Sequence, residues 1–243
     1  MVTELKNAHG ERIDFTHHHG RQGAREIVVI GHGVTGNKDR PFVVALAEGL
    51  AQAGIPAIRF SFTGNGGSGG KFTDCAISKE VEDLGSVFDA IKDRTICYIG
   101  HSMGGAVGVL RTAKDPRIKA LVSLAGMVHT KAFSEREFGM VKPGEGFMWD
   151  DTNCPLSQKY MDDMTAIGSV IGEAPKIHVP WLLIHGTEDD VVPIQESREI
   201  FAKANQPKEL IELKGANHVF AGDHTAPMVS NVVNWLKRTL RIG

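Results

Sequence analysis

The stretch Gly100-His101-Ser102-Met103-Gly104 has the spacing G-x-S-x-G. It sits between TICYIGHS, which reads as a strand, and MGGAVGVLRTAKD, which reads as a helix. In that context the motif is a nucleophile elbow. Small residues two positions before and after the serine leave room for a tight turn. The hydroxyl then stands clear above a helix N-terminus, where backbone donors favour developing negative charge. A serine hydroxyl is a weak nucleophile, so it needs a base, and the base needs an orienting acid. The expected chain order is Ser, then Asp or Glu, then His. WLLIHGTEDDVVP places Glu188, Asp189 and Asp190 just past a strand, and KELIELKGANHVF places His218 just past the next. One amide of an oxyanion hole falls to Met103, the residue after the serine.

Such residues meet only if the surrounding elements bring them to one edge. EIVVIGHG, IPAIRFSF, TICYIGHS, IKALVSLAG, WLLIHG and KELIELKG read as strands. RPFVVALAEGLAQAG, ISKEVEDLGSVFDAIKD, MGGAVGVLRTAKD, IQESREIFAKA and PMVSNVVNWLKRTL read as helices between and after them. EIVVIGHG has the β-branched continuity of a strand buried on both faces. TELKN and ERIDFTH flank His9-Gly10 and read as an N-terminal hairpin. Alternating strands and helices predict a mostly parallel sheet with helices on both faces, in one α/β domain. Chemistry in such sheets gathers at the carboxyl ends of the strands, where GHGVTGNK, GHSMGG, HGTEDD and GANHVF fall. From about residue 127 to 176 the alternation breaks, which reads as a cap insertion.

Phe62 to Asp74 holds five glycines, of which Gly64, Gly66 and Gly69 fit G-x-G-x-x-G. A dinucleotide fingerprint should open its helix directly and have an acid about 20 residues on, at the next strand end. Here KFTDCA intervenes, and that strand ends in the elbow instead. The loop is therefore read as scaffolding beside Ser102, with no cofactor. The run His17-His18-His19 lacks spaced acidic or cysteine partners and reads as a hydrated hairpin end, not a metal site. Cys75, Cys97 and Cys154 are odd in number and widely spaced, which suits reduced thiols in the cytoplasm. The 243 residues carry a formal net charge of -2, so nucleic acid and anionic membrane are not expected partners. The start has no secretory h-region, and no apolar run reaches the roughly 20 residues that span a bilayer.

From GHGVTGNK through GHSMGG and HGTEDDVVP to GANHVF, the chain resembles the α/β-hydrolase superfamily. The family pattern G-x-x-D-x-x-V-P, counted from Gly186, makes Asp189 the acid and Asp190 the runner-up. His218 fits the family's histidine before the last helix, and His224 matches no motif. Resemblance to H-G-x hydrolases assigns the second oxyanion amide to Val34, after His32-Gly33. The HGVTGNK loop and a cap of this size resemble the feruloyl and cinnamoyl esterases and related bacterial carboxylesterases. That resemblance implies a serine carboxylesterase acting on small acyl or aromatic-acid esters, with no cofactor or metal. Phe138, Trp149 and Asp150 are the expected substrate contacts, although the cap aromatics could equally form the cap's own core. A thioesterase or small-peptide hydrolase would use the same three residues. A hydrolase-fold binding protein with little catalysis is the alternative of another class.

Overall fold

The computed structural model describes residues 3–91 and 93–241. Seven strands form one sheet: β1 (Phe15–His18), β2 (Glu26–Gly31), β3 (Ala57–Phe60), β4 (Thr95–His101), β5 (Ile118–Leu124), β6 (Trp181–Gly186) and β7 (Lys208–Leu213). Their spatial order is β1-β3-β2-β4-β5-β6-β7. All pairings are parallel except that of β1 with β3. β2 and β6 are buried along their whole length, as their continuous apolar runs require.

Helices cover both faces. On one, α1 (Pro41–Gln52) and α7 (Thr225–Leu240) lay Phe42, Leu46, Val232 and Leu236 over Val28, Ile30, Ile99 and Val122. On the other, α2 (Ile77–Ala90) and α3 (Met103–Thr112) lay Leu84, Phe88 and Val107 over Ile27, Val29, Tyr98 and Leu121. Val28 and Val29 thus feed opposite cores, the period of two that a doubly covered strand dictates. The expected α2 reached Asp93; the helix stops at Ala90, and Lys92 lies outside the described residues. α6 (Ile194–Lys203) packs beside β6 and β7.

The strand pairing at the N-terminus also changes. The N-terminal hairpin shrinks to a single antiparallel bridge, Lys6 to Arg12, and the strand that follows pairs with β3. Alternation fixes a strand's faces but not its partner, and the edge of β3 was free to take it. Between β5 and β6 the chain builds α4 (Thr130–Phe138), α5 (Gln158–Ile167) and short 3-10 turns, so the aperiodic stretch is substantially helical. Among the described residues no helix is long and apolar enough to cross a membrane.

Candidate active site

The strand order reverses between β2 and β4. β3 leaves β2 on one side, and the chain returns to lay β4 on the other. Crevices in α/β sheets open at such a switch point. Gly31 of β2 pairs in register with Gly100 of β4, so the two loops that follow lie side by side. A Cβ on Gly33 would stand 2.7 Å from Ser102 Cβ and 3.1 Å from its Oγ.

Ser102 has φ 53° and ψ -119°, a conformation that L-residues rarely adopt. Strain of this kind costs about 1–3 kcal/mol and persists only when the surroundings over-determine it. Here the Ser102 N–H donates to Leu124 O, and Ser102 O accepts from the Gly105 and Met127 amides. Side chains at Gly100 and Gly104 would collide with the Gly104 and His32 carbonyls, which explains both small residues of the elbow. Among the described residues Ser102 Oγ has no hydrogen-bond partner, and the residue lines a cavity. Catalytic serine–histidine bonds commonly tighten only as substrate binds.

Asp189 follows β6 with its side chain fully buried. Oδ1 accepts from the Val191 and Val192 amides, each at 2.9 Å. Oδ2 accepts from His218 Nδ1 at 2.8 Å and lies 3.1 Å from His185 Nε2. Burial pushes this carboxyl's pKa up, but the bonds to His185 and His218 outweigh it and hold it well below the usual range. Asp190 and Glu188 are exposed. His224 ends a short turn against Gly215 and does not line the cavity.

Two further histidines, His101 of the elbow and His185 of β6, take places around Asp189 and His218. His101 Nε2 lies 2.9 Å from the His218 carbonyl, and its ring packs 4.7 Å from His218 and 4.6 Å from Phe42. Burial, then repulsion from His218, lowers the His101 pKa to about 3, so the ring stays neutral and donates to that carbonyl. His185 is buried between Ser197 Oγ at 2.7 Å and the Val192 carbonyl at 2.9 Å, and so braces the Asp189 turn. The position of His101 next to Ser102 was the only available signal; nothing in the sequence pointed from His185 to Asp189.

The β2 loop turns tightly: Gly36 N–H donates to Gly33 O at 3.0 Å, with Thr35 at φ 53°. His32 pins it. Phe62 N–H donates to His32 Nε2 at 3.0 Å, so Nδ1 carries the proton and donates to Gly33 O at 2.9 Å. Burial lowers the His32 pKa to about 4. Among the described residues neither the Val34 nor the Met103 amide meets a protein acceptor. The glycine loop packs against this turn: Gly66 at φ 53° lies close under Asn37 and Ser61.

The cavity holds about 330 Å³ and is lined by Val34, Thr35, Phe42, Ser102, Trp149 and His218, with Arg40, Val191 and Val219 at its rim. Of the three cap residues expected at substrate, Trp149 lines it. Phe138 does not: it is fully buried behind Trp149, ring to ring at 4.9 Å. Asp150 is exposed and also outside the wall. Trp149 is held at φ 48°, with Nε1 donating to Glu137 Oε2 at 3.0 Å. The cap's other large side chains, Phe133, Met148 and Tyr160, form its core. A larger depression of about 630 Å³, around Glu4, Ile27, Ile58 and Arg94, contains none of the candidate residues. Among the described residues no group of three or more His, Cys, Asp or Glu is placed to hold a metal ion.

Comparison with known proteins agrees with this architecture. An uncharacterised protein of Salmonella typhi, YfhR, is 26% identical over 251 residues, covering 93% of this chain and 80% of the relative. A mitochondrial palmitoyl-protein thioesterase of Rattus norvegicus, ABHD10, is 23% identical over 208 residues, covering 81% of this chain and 70% of the relative. The solved structure of Est1E from Butyrivibrio proteoclasticus with ferulic acid bound superposes with a TM-score of 0.85 at 22% identity, covering 99% of this chain and 100% of that one. The serine aminopeptidase S33 family (Hydrolase_4) matches residues 22–143 and 156–225. The chain therefore belongs to that family, within the α/β-hydrolase superfamily, and is a hydrolase.

Proposed function

We propose that this protein is a serine carboxylic-ester hydrolase for small acyl or aromatic-acid esters, with Ser102, His218 and Asp189 as its triad. One observation carries the proposal: His218, tethered through Nδ1 to Asp189, faces the same cavity as the unpartnered Ser102 Oγ. In this reading His218 Nε2 takes the Ser102 proton as Oγ attacks the ester carbonyl. Asp189 fixes the tautomer and stabilises the imidazolium. The Val34 and Met103 amides receive the oxyanion. His218 then protonates the leaving alcohol and later activates the water that releases the acid.

The family's descriptive name suggests an aminopeptidase, which must hold a substrate ammonium. No Asp or Glu lines this cavity among the described residues, and the charged side chain at its rim is an arginine. That favours ester over N-terminal peptide. Trp149 offers a flat apolar wall, suited to an aromatic acid, and ferulic acid is the ligand bound to Est1E. The test is a panel of p-nitrophenyl, hydroxycinnamate and S-acyl esters with native protein and Ser102→Ala. The expected result is turnover of oxygen esters by native protein alone. Equal turnover by both proteins refutes the serine mechanism, and preference for the S-acyl arm turns the assignment to thioesterase.

A further inference from the structure

Arg40 lines the cavity, and among the described residues no carboxylate lies within ion-pair distance of it. Its basic neighbours differ. Lys38 pairs with Asp39 at 2.9 Å and Asp14 at 3.4 Å, and Arg59 pairs with Asp39. A single donor of Arg40, Nη2, bonds to Thr35 O at 3.1 Å, which fixes the guanidinium beside the turn that carries Val34. A guanidinium has five N–H donors, so most of its fork is unspent.

Arg40 is also placed against the local field. It is the N-cap residue of α1, with Pro41 following, and its side chain makes no capping bond. A helix N-terminus favours negative charge, so a cation there adds to a positive end instead of balancing it. The N-terminus of α3, after Ser102, contributes a second positive end to the same cavity. The cap turn lies within reach of the same charge. Its Asp151 and Cys154 both feel the Arg40 charge, but Asp151 directs its oxygens to Asn153 and, more weakly, to the Cys154 thiol. Trp149, from the same turn, shares the cavity wall with Arg40. The result is an apolar slot with an aromatic face, an electropositive mouth and no acidic side chain in its lining.

We propose that Arg40 is the specificity determinant of this site and selects esters that carry a carboxylate away from the scissile bond, with the spacer against Trp149. The planar fork matches a carboxylate in a way that a point charge does not. This inference rests on the ester-hydrolase reading. The carboxylate could belong to the acyl or the alcohol part, and two matched pairs separate them. One is the p-nitrophenyl monoester of glutarate against p-nitrophenyl hexanoate. The other is 4-acetoxybenzoate against 4-acetoxybenzamide.

Arg40→Gln should raise KM about tenfold, relative to the neutral member, for the charged member of at least one pair, the loss expected of a charge-assisted bond at a solvent-exposed arginine. Any disturbance of the Thr35 turn falls on both members of a pair, so the change is read in the charged-to-neutral ratio, and Arg40→Lys should recover part of the preference. Unchanged charged-to-neutral ratios in Arg40→Gln overturn the inference. Calorimetric binding of glutarate and 4-hydroxybenzoate to Ser102→Ala, with and without Arg40→Gln, reads the same subsite without catalysis. If native protein cleaves no ester but Arg40→Gln still weakens acid binding about tenfold, the esterase reading fails and the anion subsite stands. Equal binding by both proteins overturns the subsite.

Discussion

Replacing Asp189 by asparagine tests the proposed triad with the least change in shape. Oδ1 accepts two backbone N–H bonds at 2.9 Å each, so the asparagine carbonyl must take that place. Its NH2 then falls where Oδ2 stood, 2.8 Å from His218 Nδ1 and 3.1 Å from His185 Nε2. His185 Nε2 already faces the Val192 carbonyl as a donor, so there the new NH2 meets an N–H. At His218 the NH2 can be accommodated only if Nδ1 becomes the acceptor. The ring proton then moves to Nε2, the nitrogen required to receive the Ser102 proton.

The wrong tautomer costs on the order of 10⁴-fold in kcat in the serine-protease precedent, or about 5 kcal/mol of transition-state stabilisation. The donor–donor clash at His185 costs about 1–3 kcal/mol of stability. The assay is steady-state hydrolysis of p-nitrophenyl acetate at neutral pH, with urea unfolding run in parallel to show that the variant is folded. The expected result is a collapse of kcat with KM little changed, because the change acts on proton transfer and not on substrate contact. Asp190→Asn is the control: its side chain is exposed, and kcat should stay within about twofold. If Asp189→Asn keeps more than a tenth of the native rate, or if Asp190→Asn loses the activity instead, the assignment of the acid is wrong.

Two further outcomes follow from the same loops. Gly33→Ala puts a methyl 2.7 Å from Ser102 Cβ, which should lower kcat/KM about 10²-fold through displacement of the nucleophile and cost about 1–3 kcal/mol in urea unfolding; a fully active variant would show that the two loops are looser than the contact implies. His32 and His101 are buried neutral with pKa values of about 4 and about 3, below the unfolded value near 6.5, so the unfolded chain binds more protons and stability must fall as pH drops below about 6.5. Between pH 6.5 and 4.5 that amounts to about 2–3 kcal/mol per histidine, before the depressed carboxylates begin to titrate, and a flat stability profile over this window would contradict the neutral, hydrogen-bonded state of both rings.

The elbow was legible in sequence because its requirements are local. Two small residues, a strand before and a helix after suffice, and Gly100 and Gly104 have the close contacts that explain them. The cap was not legible. α4 buries Thr130, Phe133, Ser134 and Phe138, a helical spacing in which two of the four positions are polar, so the apolar period is masked. Phe138 and Trp149 are both aromatics of one insertion, yet one is core and the other is wall. Only the direction of the turn at Trp149 separates them, and that follows from the packing of Phe138 and the bond to Glu137.

Arg40 shows the same limit from the side of charge. In sequence it is one member of the mixed-charge run Lys38-Asp39-Arg40, where the first helical segment begins. The three differ only once the sheet is assembled. β1 and β3 supply Arg59 and its neighbours, and these take up Asp39. Asp14 takes up Lys38. Arg40, one residue further, has passed the end of the sheet and begins the helix that faces the cavity. Whether a cation here meets a carboxylate is therefore decided by strand order, as is the meeting of Gly33 with Ser102: each loop's chemistry is written locally, but which loops share an edge depends on β2 lying between β3 and β4. A chain with the same motifs and a different crossover would carry the same serine and no site.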